Sequence, residues 1–250
     1  MEQAYNLRGA RLRAYVRGEG APILFIHGTG GNGKTWFNQL RRFGLTRTAI
    51  AIDLPGYGES ELPPGVESVD DYAALVAEWM ALAGWARPVV VGTSMGGRVA
   101  LQLALDHPDR VGGLVLIDAS GIRVEGVPTL SPAELGVEQF LRALFYRPSP
   151  TLGRTATGEP PAWYATMQRL TAKPLRSDMQ ARLGEIRLPT LVLWGEHDRI
   201  LPPAYAEAFH AAIPGSRLCW IPEAGHVPMI ERPGAVNDAI ADFLTTLPRP

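Results

Sequence analysis

Ser94 stands in Gly92-Thr93-Ser94-Met95-Gly96-Gly97, between an apolar run, Pro88–Val91, and a helical pattern, Arg98–Leu105. A serine can occupy the apex of so tight a strand-to-helix turn only if its neighbours lack bulk, and Gly92 and Gly96 carry no Cβ. Its hydroxyl then stands at a helix N-terminus, where unpaired N–H groups and the helix dipole favour developing negative charge. A serine hydroxyl is a weak nucleophile near neutral pH. It needs a base to take its proton, and the base needs an orienting acid. His226, in Glu223-Ala224-Gly225-His226-Val227-Pro228, follows the apolar run Leu218–Ile221, and Asp198, in Gly195-Glu196-His197-Asp198-Arg199, follows Leu191–Trp194. Together the three could carry out acyl transfer. Serine would attack a carbonyl, imidazole would carry the proton, and the acid would hold the imidazole tautomer.

Elements must bring these positions together. Short apolar runs alternate with helical patterns along most of the chain, which predicts a mainly parallel, twisted sheet with helices on both faces. Strands are expected at Leu12–Val16, Ile23–Ile26, Thr48–Ile52, Pro88–Val91, Leu114–Ile117, Leu191–Trp194 and Leu218–Ile221. Helices are expected near Val69–Leu82, Met95–Asp106, Tyr205–Ala212 and Ala235–Leu247. Parallel strands deliver the loops after them to one edge, so Ser94, Asp198 and His226 should share it.

The alternation lapses from Gly121 to about Leu188, a proline-rich stretch without a strand-like run. Ser131-Pro132-Ala133-Glu134 reads as a capping box with proline at the first helical position. The helix after it would present Leu135, Phe140, Leu141, Leu144 and Phe145. A second, near Ala162–Leu170, would present Trp163, Met167 and Leu170, and a third would run from Leu175 to Leu183. The expected organisation is a core of residues 1–120 and 189–250 with a helical cap, 121–188, roofing the carboxyl edge. Its aromatic residues read mainly as the insertion's own small core.

The chain order Ser, Asp, His, the Gly-x-Ser-x-Gly turn and the His27-Gly28-Thr29-Gly30 loop together resemble the α/β-hydrolase superfamily, over nearly everything outside the insertion. The resemblance implies the α/β-hydrolase fold and the serine-nucleophile, carboxylesterase-like branch with a helical cap. Serine at the elbow separates the chain from the haloalkane dehalogenase and epoxide hydrolase branches, which place a carboxylate there. It also implies an oxyanion hole made by the N–H of Met95, which follows the nucleophile, and of Thr29 on the first loop. Asp118, in Leu116-Ile117-Asp118-Ala119-Ser120, also ends a strand, and some relatives take their acid there. Asp198 is favoured because its Gly-x-x-Asp loop matches the commoner family pattern.

Other candidates have plainer readings. Asp53 opens a Pro/Gly turn and should fix a loop. His27 should shape its loop, and His107, His197 and His210 are placed away from the chemistry. Trp36 either lines the pocket or fills core. Gly28–Thr35 satisfies the phosphate-loop pattern Gly-x-x-x-x-Gly-Lys-Thr in full. A nucleotide site there would leave the elbow, His226 and Asp198 unexplained, so it is set aside.

Composition bounds the partners. The 250 residues carry 24 Lys plus Arg against 25 Asp plus Glu, a balance that argues against nucleic acid or an anionic membrane surface. Cys219 is the only cysteine, which excludes an internal disulfide or a cysteine metal cluster, and it reads as a buried core thiol. No stretch reaches ~18 consecutive apolar residues, and the first residues lack a signal-peptide pattern, so a soluble cytoplasmic chain without membrane insertion is expected. The expected activity is hydrolysis of a small, largely apolar carboxylic ester by water through an acyl-enzyme, with no metal or organic cofactor. Carbon–carbon bond hydrolysis of a dienoate-type diketone, lactone opening and perhydrolysis fit the same triad. A slow-turnover ligand sensor fits it too.

Overall fold

Runs of Val, Ile and Leu too short for buried helices make the sheet. In a computed structural model, which describes residues 1–130, 132–149, 152, 161–171 and 178–248, eight strands form it. These are β1 (Glu2–Leu7), β2 (Ala10–Arg17), β3 (Pro22–Ile26), β4 (Thr48–Ile52), β5 (Val89–Thr93), β6 (Gly113–Ile117), β7 (Thr190–Gly195) and β8 (Arg217–Ile221). Their order is β1-β2-β4-β3-β5-β6-β7-β8. β1 and β2 are antiparallel to their neighbours, and the other six run parallel.

Both faces of the central strands are apolar, with a period of two. Leu24, Val90, Leu116 and Val192 pack into one buried cluster. Phe25, Val91, Val115 and Leu193 pack into the other. Helices cover each face: α2 (Asp71–Ala83), α3 (Met95–Asp106) and α8 (Ala204–Ala212) lie on the first cluster. The helices α1 (Phe37–Phe43) and α10 (Pro233–Thr245) lie on the second. This is the α/β-hydrolase fold: a mostly parallel sheet clothed on both sides. Trp36 is core, fully buried beside Phe25.

Between β6 and β7 the described residues form α4 (Pro132–Leu135), α5 (Val137–Ala143), α6 (Ala162–Thr171) and α7 (Asp178–Arg182). The expected first helix is divided at Gly136, whose φ of 73° no continuing helix adopts. Ser131 of the expected capping box and residues 175–177 of the expected third helix lie outside the described residues. One further short helix, α9 (Pro228–Glu231), follows β8. Among the described residues no helix is long and apolar enough to cross a membrane.

Three elements escape the pattern reading. β1 alternates exposed with half-buried side chains and carries little apolar bulk; a two-residue turn, Arg8-Gly9, both at positive φ, pairs it with β2. α1 starts inside a Gly-rich loop, after a 3-10 turn capped by Asn32. α9 has only four residues. Cys219 also differs from expectation: it is half-buried, because β8 is the outer strand of the sheet.

Candidate active site

Each chemistry-bearing loop leaves the carboxyl end of a parallel strand. His27 follows β3, Asp53 follows β4, Ser94 follows β5, Asp118 follows β6, Asp198 lies beyond β7 and His226 beyond β8. Ser94 has φ 51° and ψ −118°, a region a side chain seldom occupies. Its backbone is pinned on both sides. The Ser94 N–H donates to Ile117 O at 3.1 Å, and its carbonyl accepts from Ser120 N, Ser120 Oγ and Arg98 N at 3.0, 3.2 and 3.2 Å. The glycines are required by contact. A Cβ at Gly96 would meet the carbonyl oxygens of Ile26 and His27 at 2.3 and 2.5 Å. A Cβ at Gly28 would meet Ser94 Cβ at 2.9 Å. Met95 opens α3, so its N–H has no intrahelical acceptor.

His226 and Asp198 meet. His226 Nδ1 lies 2.7 Å from Asp198 Oδ2, and both side chains are buried. Asp198 Oδ1 accepts from Ile200 N and Leu201 N at 2.8 and 3.0 Å, so the carboxylate cannot swing. The opposite ring atom, His226 Nε2, is buried and makes no hydrogen bond among the described residues. Ser94 and His226 line one cavity of about 230 Å³, but no hydrogen bond joins Ser94 Oγ to Nε2. Asp118 does not bond His226. Its Oδ1 accepts from Gly195 N at 3.0 Å, and burial together with the nearby Asp198 charge pushes its carboxyl well above the usual range.

Thr29, Gly28 and Gly30 line the same cavity, with Thr29 Oγ1 3.7 Å from Met95 Sδ. The wall opposite is apolar. Phe140, Leu141, Leu144 and Phe145 come from α5 and the turn after it, and Val227 and Met229 come from the His226 loop. Two of the insertion's aromatic residues, Phe140 and Phe145, therefore line this cavity, while Trp163 packs against the core. Residue types carry no signal for how the His226 loop is held. His226 N donates to Leu144 O at 2.8 Å, and Glu231 accepts from Gly225 N and Tyr146 N at 2.7 and 2.9 Å. Those partners are backbone groups, which side-chain identity does not reveal.

The set-aside candidates are occupied otherwise. His27 is buried, with Nε2 accepting from Leu54 N and Nδ1 2.8 Å from Gly28 O, and burial lowers its pKa to about 4. It is a neutral loop-fixing residue. Asp53 accepts from Gly33 N and Glu59 N at 2.6 and 2.7 Å. His197 stacks on Tyr146, and His210 bonds Ser216. Lys34 pairs with Glu59, and Gly33 N is committed to Asp53, so Gly28–Thr35 is no phosphate cradle. Asp118, Asp198 and His226 offer ligand atoms within 4.8 Å of one another, but Nδ1 and Oδ2 are already bonded and a cation would have to part them.

Known proteins share this architecture. The chain is 32% identical to the pimeloyl-[acyl-carrier protein] methyl ester esterase of Neisseria meningitidis, over 89% of this chain and 92% of that one. It is 29% identical to the 2-hydroxy-6-oxononadienedioate/2-hydroxy-6-oxononatrienedioate hydrolase of Comamonas testosteroni, over 96% and 93%. A crystal structure of a serine hydrolase involved in carbazole degradation superposes with a TM-score of 0.82 at 26% identity, covering 98% of each chain. Residues 23–239, from the first parallel strand into the last helix, match the family model as well, so the elbow, the carboxyl-edge loops and the sheet are those of a hydrolase: the chain belongs to the alpha/beta hydrolase family.

Proposed function

We propose that this hydrolase cleaves carboxylic esters bearing an apolar acyl group, with Ser94 as nucleophile, His226 as base and Asp198 as its orienting acid. The observation that carries the reading is one cavity. Ser94 and an imidazole with a free, buried Nε2 share it, and Asp198 holds the opposite ring nitrogen. Substrate binding brings Ser94 Oγ and Nε2 into hydrogen-bond reach, since such contacts are commonly long in empty sites. Nε2 takes the hydroxyl proton as Oγ adds to the ester carbon. The oxyanion is met by the N–H groups of Met95 and Thr29, each worth on the order of 3 kcal/mol at the transition state. Imidazolium then protonates the departing alcohol, and the acyl-enzyme remains. Water, deprotonated by Nε2, cleaves it by the reverse route. These side chains and water complete every step.

Residues 121–188 act as a cap over the core of 1–120 and 189–250, and supply the apolar wall. That wall favours a neutral acyl group, since no Lys or Arg lines the cavity among the described residues. Carbon–carbon hydrolysis is the second reading, supported by the dienedioate hydrolase relative. Fluorophosphonate labelling with peptide mapping should mark Ser94. A panel of p-nitrophenyl esters beside a dienoate substrate decides between the readings. Turnover of the dienoate alone would overturn the ester assignment, and folded protein that resists labelling would overturn the nucleophile.

A further inference from the structure

We propose that Asp118 is a positioning acid of this site: its carboxyl O–H donates to the Asp198 carboxylate and holds Asp198 toward His226. The proposal rests on the Ser94–His226–Asp198 reading and extends it by one residue.

Three observations lead there. Asp118 is fully buried, and its Oδ2 has no donor among the described residues, although Oδ1 accepts from Gly195 N. A carboxyl oxygen of Asp118, one of Asp198 and a ring nitrogen of His226 lie within 4.8 Å of one another. Asp118 is also held at φ 43°, by its own N–H on Leu193 O at 3.1 Å, a strained backbone kept at the end of β6.

Two buried carboxylates this close do not both ionise. Counting donors decides which one carries the proton. Asp198 receives three, from Ile200 N, Leu201 N and His226 Nδ1. Asp118 receives one, from Gly195 N. The charge therefore stays on Asp198 and the proton on Asp118, whose free Oδ2 then has something to donate. Burial first, and the Asp198 charge second, push the Asp118 carboxyl in the same direction, and the Glu231 charge adds a smaller push. His226 is the cationic partner during turnover. A neutral Asp118 leaves one negative charge, not two, beside the imidazolium.

The test compares the full chain with Asp118→Asn and Asp118→Leu, reading the rate of fluorophosphonate capture by Ser94 from about pH 5 to pH 9, across the imidazole range. Asparagine keeps an N–H donor for Asp198 and an oxygen for Gly195 N. Its labelling rate should stay within about threefold of the parent, with the midpoint of the pH profile unmoved. Leucine keeps the bulk and loses the donor, and should slow labelling about tenfold or more at the plateau. Leucine labelling at the parent rate would overturn the proposal. So would an asparagine variant slowed as much as leucine, or one with a lowered midpoint, because a lowered midpoint means that an anion had been removed. Should the leucine variant fail to fold, the asparagine midpoint alone decides. A parent chain that is not labelled at all defeats the Ser94 reading, and this proposal falls with it.

Discussion

Two residues at the site carry conformational or electrostatic costs that experiments can read separately from activity. Ser94 sits at φ 51° and ψ −118°, which costs on the order of 1–3 kcal/mol for a residue with a side chain. Glycine would relieve that and lose about 0.5–1 kcal/mol of chain entropy. Ser94→Gly should therefore unfold at the parent temperature or above it, while ester turnover and fluorophosphonate labelling disappear. Thermal unfolding checks this, and a clear fall in melting temperature would mean that the hydroxyl, not the backbone, holds the elbow. His27 tests the other kind of cost. Its folded pKa near 4 lies below the unfolded value of about 6.5, so the unfolded chain binds the extra proton first. Its contribution to stability is fully present above about pH 6.5, and is lost progressively as pH falls from there toward 4, by about 3 kcal/mol in all. Asp118, with its raised carboxyl, titrates in the opposite sense, so the His27 part has to be read as a difference. Urea unfolding of the parent and His27→Gln at several pH values should show a smaller loss toward acid in the variant. Parallel curves would remove His27 from the account.

At the scale of elements, the elbow is a close approach of α3 to the end of β3, and its tolerance can be measured. Gly96→Ala places a methyl against two backbone carbonyls, which have no flexible end to yield, and should cost about 1–3 kcal/mol along with most of the turnover. Gly234→Ala, in the first turn of α10 with nothing within 4 Å, should be neutral or stabilising by about 0.5–1 kcal/mol. Equal unfolding midpoints for the two variants would contradict the packing argument. The same contrast explains what was legible beforehand. β3 to β7 are read from the sequence because both faces of each are buried, leaving short, nearly continuous apolar runs, and β8, though it is the outer strand, is still read from the apolar run Leu218–Ile221. β1 is not, because one face meets solvent and the other carries only Gln3, Tyr5 and Leu7 half-buried. That Ser94, Asp198 and His226 share one edge was legible because parallel strands send the loops after them to that edge. Glu231 and Leu144 O were not, because they hold His226 through backbone groups whose positions are set only when the insertion packs.

Across the whole molecule the insertion is bound to the core on two sides of the cavity. At one side, the turn after α5 is held by His226 N on Leu144 O, by Arg199 on Phe145 O at 2.6 Å, and by Tyr146 stacked on His197. At the other, α6 places Trp163 against Gly30, and Thr166 Oγ1 donates to Gly56 O at 3.1 Å. Under the proposed cap role, these ties set a fixed depth, so acyl length should matter more than acyl polarity. Each methylene that finds apolar wall adds up to about 0.8 kcal/mol, roughly fourfold in kcat/KM, until the chain meets the end of the cavity and the gain reverses. Phe145 is one of the residues lining that cavity, and its carbonyl, not its ring, takes the bond from Arg199. Phe145→Ala should therefore deepen the pocket without untying the roof. Across a series of p-nitrophenyl esters from acetate upward, the parent should peak at one acyl length and the variant at a longer one, with turnover of acetate falling as contact is lost. A peak that stays in place would show that this wall does not bound the acyl group, and would move the substrate to another face of the cavity.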